Sequence, residues 1–161
     1  MLTRYSAWAN VRLYAALAQV PATWLTDARP GRPHGVNGIL SHNYVVDLIW
    51  RAHLEDTEHG FTSRNFLTVP SFEELHTAQQ QSDQWYIDYA DIQEEPSLEQ
   101  IIPFKFVDGG SGKMSRGDML LHIINHKTYH RGYIADMLYE YGSAPPTMDL
   151  PVFLRDELPE L

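Results

Sequence analysis

The 161-residue chain predicts an all-α fold: a four-helix bundle with a longer crossover connection, a short hairpin included, before the last long helix. Three observations lead there. Apolar residues recur at three- and four-residue spacings through four long stretches. Proline and glycine fall where those stretches end, and the one strand-like segment is short and lies between the third and the fourth.

The first helix runs from about Thr3 to Val20, with Tyr5, Trp8, Ala9, Leu13 and Leu17 in its apolar stripe, and Pro21 stops it. A Pro/Gly loop, Pro30 to Gly35, leads into the second. Asn37 is its N-cap candidate, Gly60 its expected stop, and Ile39, His42, Val46 and Ile49 share its inward frame. The third opens on a capping box, Ser71 with Glu74, and turns Phe72, Leu75, Ser82, Trp85 and Tyr89 inward. Leu98 to Met114 then reads as extended, with Ile102, Phe104 and Phe106 ahead of Asp108-Gly-Gly-Ser-Gly112, so a hairpin or a long crossover fits. The fourth helix begins at the N-cap candidate Ser115, carries Asp118 in its first turn, and ends at Gly142 before Pro145 and Pro146. Gly132 inside it costs about 1 kcal/mol relative to alanine, which predicts close approach of another helix beside His130.

Length fits one domain, 1–161, burying roughly 70% of the unfolded chain's surface. The absence of cysteine excludes disulfides, thiolate metal sites and any nucleophilic thiol of the protein's own, and it fits a cytoplasmic setting. No apolar run exceeds Leu13 to Ala18, far short of the ~20 residues that span a bilayer, so no membrane association is expected. The net charge is −9 and the twelve Lys and Arg are scattered, which argues against nucleic acid as a partner. The partner expected is a small-molecule substrate.

Three histidines of the last helix carry chemistry. His126 and His130 project from neighbouring turns about 6 Å apart along the axis, as do His122 and His126. The outer pair, His122 and His130, is separated by about 12 Å of rise, whereas ligand nitrogens lie roughly 2.0–2.1 Å from a zinc-like ion. The helix therefore supplies two ligands, 122/126 or 126/130, and a third comes from elsewhere. His42, in the apolar frame of the second helix, is the candidate. His53 lies some 16 Å beyond it along an ideal helix and is not a ligand. A lone Glu73/His76 pair falls short of a di-iron bundle, and neither a His-Glu-x-x-His motif nor a phosphate loop is present.

The segment Ile123-Ile-Asn-His126-Lys-Thr-Tyr-His130-Arg131-Gly132, together with Ile39-Leu-Ser-His42, Trp8-Ala-Asn10 and Gly142-Ser-Ala-Pro-Pro-Thr-Met-Asp149, resembles the DinB family of DNA-damage-inducible four-helix-bundle proteins, related to bacillithiol and mycothiol S-transferases. The resemblance implies a three-histidine metal site at His42, His126 and His130, which resolves the choice that helix geometry left open. Tyr129 stands where many relatives carry histidine, a departure that bears on substrate preference. Family members commonly form homodimers, and Leu150 to Leu154 offers apolar surface for one.

Three neutral imidazoles would leave a divalent ion its charge and an open position. Zinc or nickel is the expected occupant, and imidazole also suits iron and copper. The family points to an external low-molecular-weight thiol attacking an electrophile; a hydrolase using a metal-bound water and a non-catalytic metal- or ligand-binding stress protein are the alternatives. His122 reads either as a base or hydrogen-bond partner beside the ion, oriented by Asp118, or as an ordinary core histidine. Arg131 is expected in an ion pair with a carboxylate of a neighbouring helix.

Overall fold

The computed structural model describes residues 1–157. Four long helices, α1 (Leu2–Leu17), α3 (Gly35–Leu54), α4 (Phe72–Asp91) and α6 (Arg116–Tyr141), form the bundle; α2 (Ala22–Thr26) and α5 (Glu95–Leu98) are short turns of helix in the connections. The strands β1 (Ile101–Lys105) and β2 (Ser111–Ser115) make an antiparallel hairpin before α6, and α7 (Leu150–Glu157) closes the described chain. Helix α1 packs on α4 and α6, and α3 packs on the same two, so consecutive long helices α1 and α3 stand on one diagonal and α4 and α6 on the other. The connections before α3 and before α6 must cross the end of the bundle, which is why they are long and carry structure of their own.

Helix ends follow local chemistry. Ser71 Oγ accepts from the Glu74 amide at 3.2 Å while Glu74 Oε2 accepts from the Ser71 amide at 2.8 Å, the capping box expected of that sequence. Ser115 Oγ accepts the Asp118 amide at 3.0 Å. Gly142 takes a left-handed φ of 87° and lets the Ser143 and Gly142 amides reach back to Leu138 and Tyr139. Two expectations for α3 fail. Asn37 lies inside the helix, which starts two residues earlier without a side-chain cap, and the helix stops at Leu54 rather than at Gly60. There Asp56 adopts φ 55°, so Thr57 and Asp56 donate to Ala52 and His53 in the Schellman pattern that glycine usually supplies.

Apolar residues gather toward the two ends of the bundle. One cluster joins Leu13, Leu17, Val36, Leu75, Ile134 and Met137; the other joins Val46, Trp50, Tyr86, Phe104, Met119 and Ile123, with Trp85 and Tyr89 packed against it. The hairpin contributes Ile102 and Phe104 from its buried face, and Phe104 lies so close to Gly112 on the other strand that a Cβ there would collide with its ring. Part of the stretch Leu150 to Leu154 is covered within the chain: as α7 it inserts Phe153 between Tyr5 and Trp8, at ring distances of 5.8 and 5.6 Å. Gly132 also departs from expectation. Among the described residues, nothing lies within 4 Å of where its Cβ would be, so no helix packs there and nothing offsets its cost.

Among the described residues, no helix is long and apolar enough to cross a membrane.

Candidate metal centre

A polar layer crosses the bundle between the apolar clusters and fixes α3 against α6. Lys127 is buried and its ammonium lies 2.8 Å from Asp47 Oδ2 on α3 and 2.8 Å from Asp83 Oδ1 on α4. Gln79 donates to both carboxylates, Ser82 donates to Asp47, and Asn10 of α1 donates to Asp83. Burial works against the Lys127 charge, yet Asp47 and Asp83 together hold its pKa above the ordinary lysine value. Arg131, next to this group, makes no ion pair among the described residues. Its guanidinium donates to Ser6, Asn10 and Thr128 and lies over the Tyr5 ring. The carboxylates that would have paired with it are held by Lys127, one turn earlier on the same buried stripe. A lysine inside an otherwise apolar helical frame is the sequence signal that reveals this network; Asp47, five residues after His42, is its partner.

Against this frame α3 presents His42 and α6 presents His126 and His130. One ring nitrogen from each lies within 4.8 Å of the other two. Ring centroids are 5.2 Å apart for His42 and His126, 4.9 Å for His42 and His130, and 4.5 Å for His126 and His130. His42 Nδ1 donates to the Arg64 carbonyl at 2.9 Å, which assigns the proton to Nδ1 and leaves the Nε2 lone pair free. His126 Nε2 is buried without a hydrogen-bond partner among the described residues. Such an orphan costs about 1–3 kcal/mol unless something coordinates it.

The electrostatics keep the set deprotonated. Burial lowers His126 to about 3, with His130, His42 and the Arg64 charge adding to the effect. Burial and the neighbouring His42 lower His130 to about 4. His42 is lowered chiefly by burial. A metal needs neutral imidazole, and these three are neutral through the physiological range. The orphaned nitrogen, the fixed tautomer and the all-imidazole donor set fit a divalent transition ion, so His42, His126 and His130 could hold one.

The structure leaves the other candidates outside. The His122 ring lies tilted against Trp50 at 4.7 Å and stands 5.8 Å from the His126 ring, beside the cluster and not in it. Among the described residues, no hydrogen bond joins it to Asp118, whose amide is engaged by Ser115. His53 Nε2 donates to the Lys105 carbonyl at 3.1 Å and so pins the hairpin to α3. His76 stacks on Tyr14 at 4.8 Å, away from the cluster.

Two cavities flank the three histidines. A large one of about 690 Å³ opens on the His42 and His130 side, where Tyr129 and Tyr133 form part of its wall. A smaller one of about 150 Å³ lies on the His126 side, between Trp50, His122 and Asp108. Tyr129 is exposed, its ring is 5.1 Å from that of His130, and it borders the large cavity.

Comparison with known proteins agrees with this architecture. The sequence model of the DinB family matches residues 1–160. The chain belongs to the DinB family. Protein DinB of Bacillus subtilis is 26% identical over 95% of this chain and 92% of its own length. The crystal structure of a DinB-like protein from Bacillus cereus superposes with a TM-score of 0.64, covering 91% of this chain and 94% of that one at 17% identity, a likeness that shows the fold. The DinB fold here is thus mostly helical with a short hairpin before its longest helix.

Proposed function

We propose that this DinB-family protein is a metal-dependent transferase that joins an external low-molecular-weight thiol to an electrophilic small molecule. The observation that carries the reading is the convergence of His42, His126 and His130 within 4.8 Å around a buried, partnerless His126 nitrogen, at the edge of an open cavity. A divalent ion held there, zinc first among the candidates, would supply a Lewis acid that lowers the pKa of a coordinating thiol.

The chain's own residues do the rest. The Arg64 carbonyl fixes the His42 ring, and the Lys127 network fixes the register of α3 against α6. Among the described residues, no aspartate or glutamate lines the large cavity. A water there finds no carboxylate base, whereas a thiol with a pKa of about 8.5 is already close to ionisation at neutral pH, and this favours the transferase over a hydrolase. In the reaction the thiol sulfur bonds to an electrophilic carbon; with an epoxide, the C–O bond breaks and the thiol proton ends on the released oxygen.

The test is conjugation of a small thiol to an epoxide or activated alkene by zinc-loaded protein. Metal-free protein and His126→Ala should give only the background rate. Thiol-independent ester hydrolysis by the loaded protein would replace the transferase reading with the hydrolase one. Absence of both activities across a broad panel would end the enzymatic reading.

A further inference from the structure

Among the described residues, Arg32 is the one Lys or Arg side chain that lines the large cavity beside His42 and His130. Its guanidinium lies 4.7 Å from the centre of the Tyr133 ring and forms part of the wall of the 690 Å³ cavity. Arg4, Arg51 and Arg155 each pair with a carboxylate. Arg32 has no such partner among the described residues, although it is half-buried. Among the described residues, no acidic side chain lines the cavity, in a chain whose net charge is −9. This mouth is therefore cationic within an acidic protein, which is the field an anionic ligand would follow.

The contact with Tyr133 matters chemically. It holds the guanidinium against the ring, and among the described residues no hydrogen bond engages its N–H groups, so the fork is available to grip a carboxylate with two parallel hydrogen bonds. Tyr133 lies 6.1 Å from the His130 ring, so Arg32 is separated from the histidine cluster by a single aromatic ring. The Tyr129 and Tyr133 hydroxyls bond to each other at 2.7 Å beside it, while Ile39, Phe66 and Val69 give the cavity apolar wall.

We propose that Arg32 is the carboxylate-binding residue of this cavity, and that the molecule bound is a thiol carrying a carboxylate at its far end and an apolar section between. The thiol half of this statement rests on the metal-site reading above; the carboxylate half does not.

The experiment uses the full chain loaded with cobalt(II) and titrated with mercaptohexanoate or the neutral mercaptohexanol, followed by thiolate-to-cobalt absorption. The wild type should bind the carboxylate thiol about tenfold more tightly, in line with a charge-assisted hydrogen-bonded pair. Arg32→Gln should erase the preference while leaving cobalt uptake and mercaptohexanol affinity unchanged, and Arg32→Lys should restore only part of it. Equal affinity for both thiols in the wild type, or a preference that survives Arg32→Gln, would overturn the proposal. A metal-free arm separates the two readings: calorimetry should show phenylpropionate binding to the wild type and about tenfold weaker binding to Arg32→Gln, with inorganic phosphate binding more weakly than the carboxylate. If cobalt is not taken up, the metal reading fails and this arm alone decides Arg32; phenylpropionate binding that is absent or indifferent to Arg32 sinks the carboxylate site.

Discussion

Lys127→Met keeps most of the side-chain volume and removes one buried ammonium, so its effect isolates the charge. The ammonium lies 2.8 Å from both Asp47 and Asp83, and the Lys127, Asp47 and Asp83 side chains are only 4%, 1% and 8% exposed. Without it two carboxylates remain in the bundle interior with hydrogen bonds but no cation. Breaking a buried pair in this way costs about 3–5 kcal/mol, out of a total stability of about 5–15 kcal/mol. With a urea m-value of about 2 kcal/mol/M, the unfolding midpoint followed by circular dichroism at pH 7 should fall by about 2 M. The pH dependence gives a sharper check. Burial already raises the Asp47 pKa against the pull of Lys127, with Asp83 adding to the rise, and loss of the ammonium raises it further. A carboxyl whose folded pKa exceeds its unfolded value is destabilising above the folded value and neutral below the unfolded one. The deficit of the variant should therefore shrink as pH falls from 7 toward 4, and Asp47→Asn in the Lys127→Met background should recover part of it at pH 7. A loss below 1 kcal/mol, or a deficit equal at both pH values, would refute a charge-based role.

Three further outcomes follow from the site and the helix that bears it. His42→Ala, His126→Ala and His130→Ala should each lose most bound zinc by elemental analysis of untagged protein, whereas His122→Ala should retain it, since the His122 ring lies outside the cluster. The metal-free protein should lose thermal stability as pH drops from 6.5 toward 4, because His126 and His130 titrate at about 3 and about 4 when folded, below their unfolded value. The stability they contribute is full above pH 6.5 and declines below it, so a His126→Ala/His130→Ala double variant should show a flatter profile; an unchanged slope would contradict the assignment. Gly132→Ala should stabilise α6 by about 1 kcal/mol and raise the melting temperature by about 2–4 °C, because its Cβ would enter open space. A decrease in melting temperature would mean that position 132 needs glycine after all.

The amino-acid order by itself determined the four long helices, the capping residues Ser71 and Ser115, the stop at Gly142 and the exclusion of His122 and His130 from one ion, since each follows from spacing or hydrogen bonding within a few residues. Family resemblance then chose His42 with His126 and His130, and the structure brings those three together. What the sequence left open lies between elements. Gly60 looked like the helix stop because glycine is the usual left-handed residue, yet Asp56 takes that conformation first. Leu150 to Leu154 offers apolar side chains that need a cover, but a linear pattern does not say whose surface provides it; for Phe153 it is Tyr5 and Trp8 of the same chain. Arg131 was expected to find a carboxylate, and only the packing of three helices decided that Lys127 would hold both nearby ones. Local periodicity fixes which residues face inward, whereas the pairing of buried charges and the side of a cavity depend on which helices meet, and that is settled by the diagonal crossings of the folded bundle.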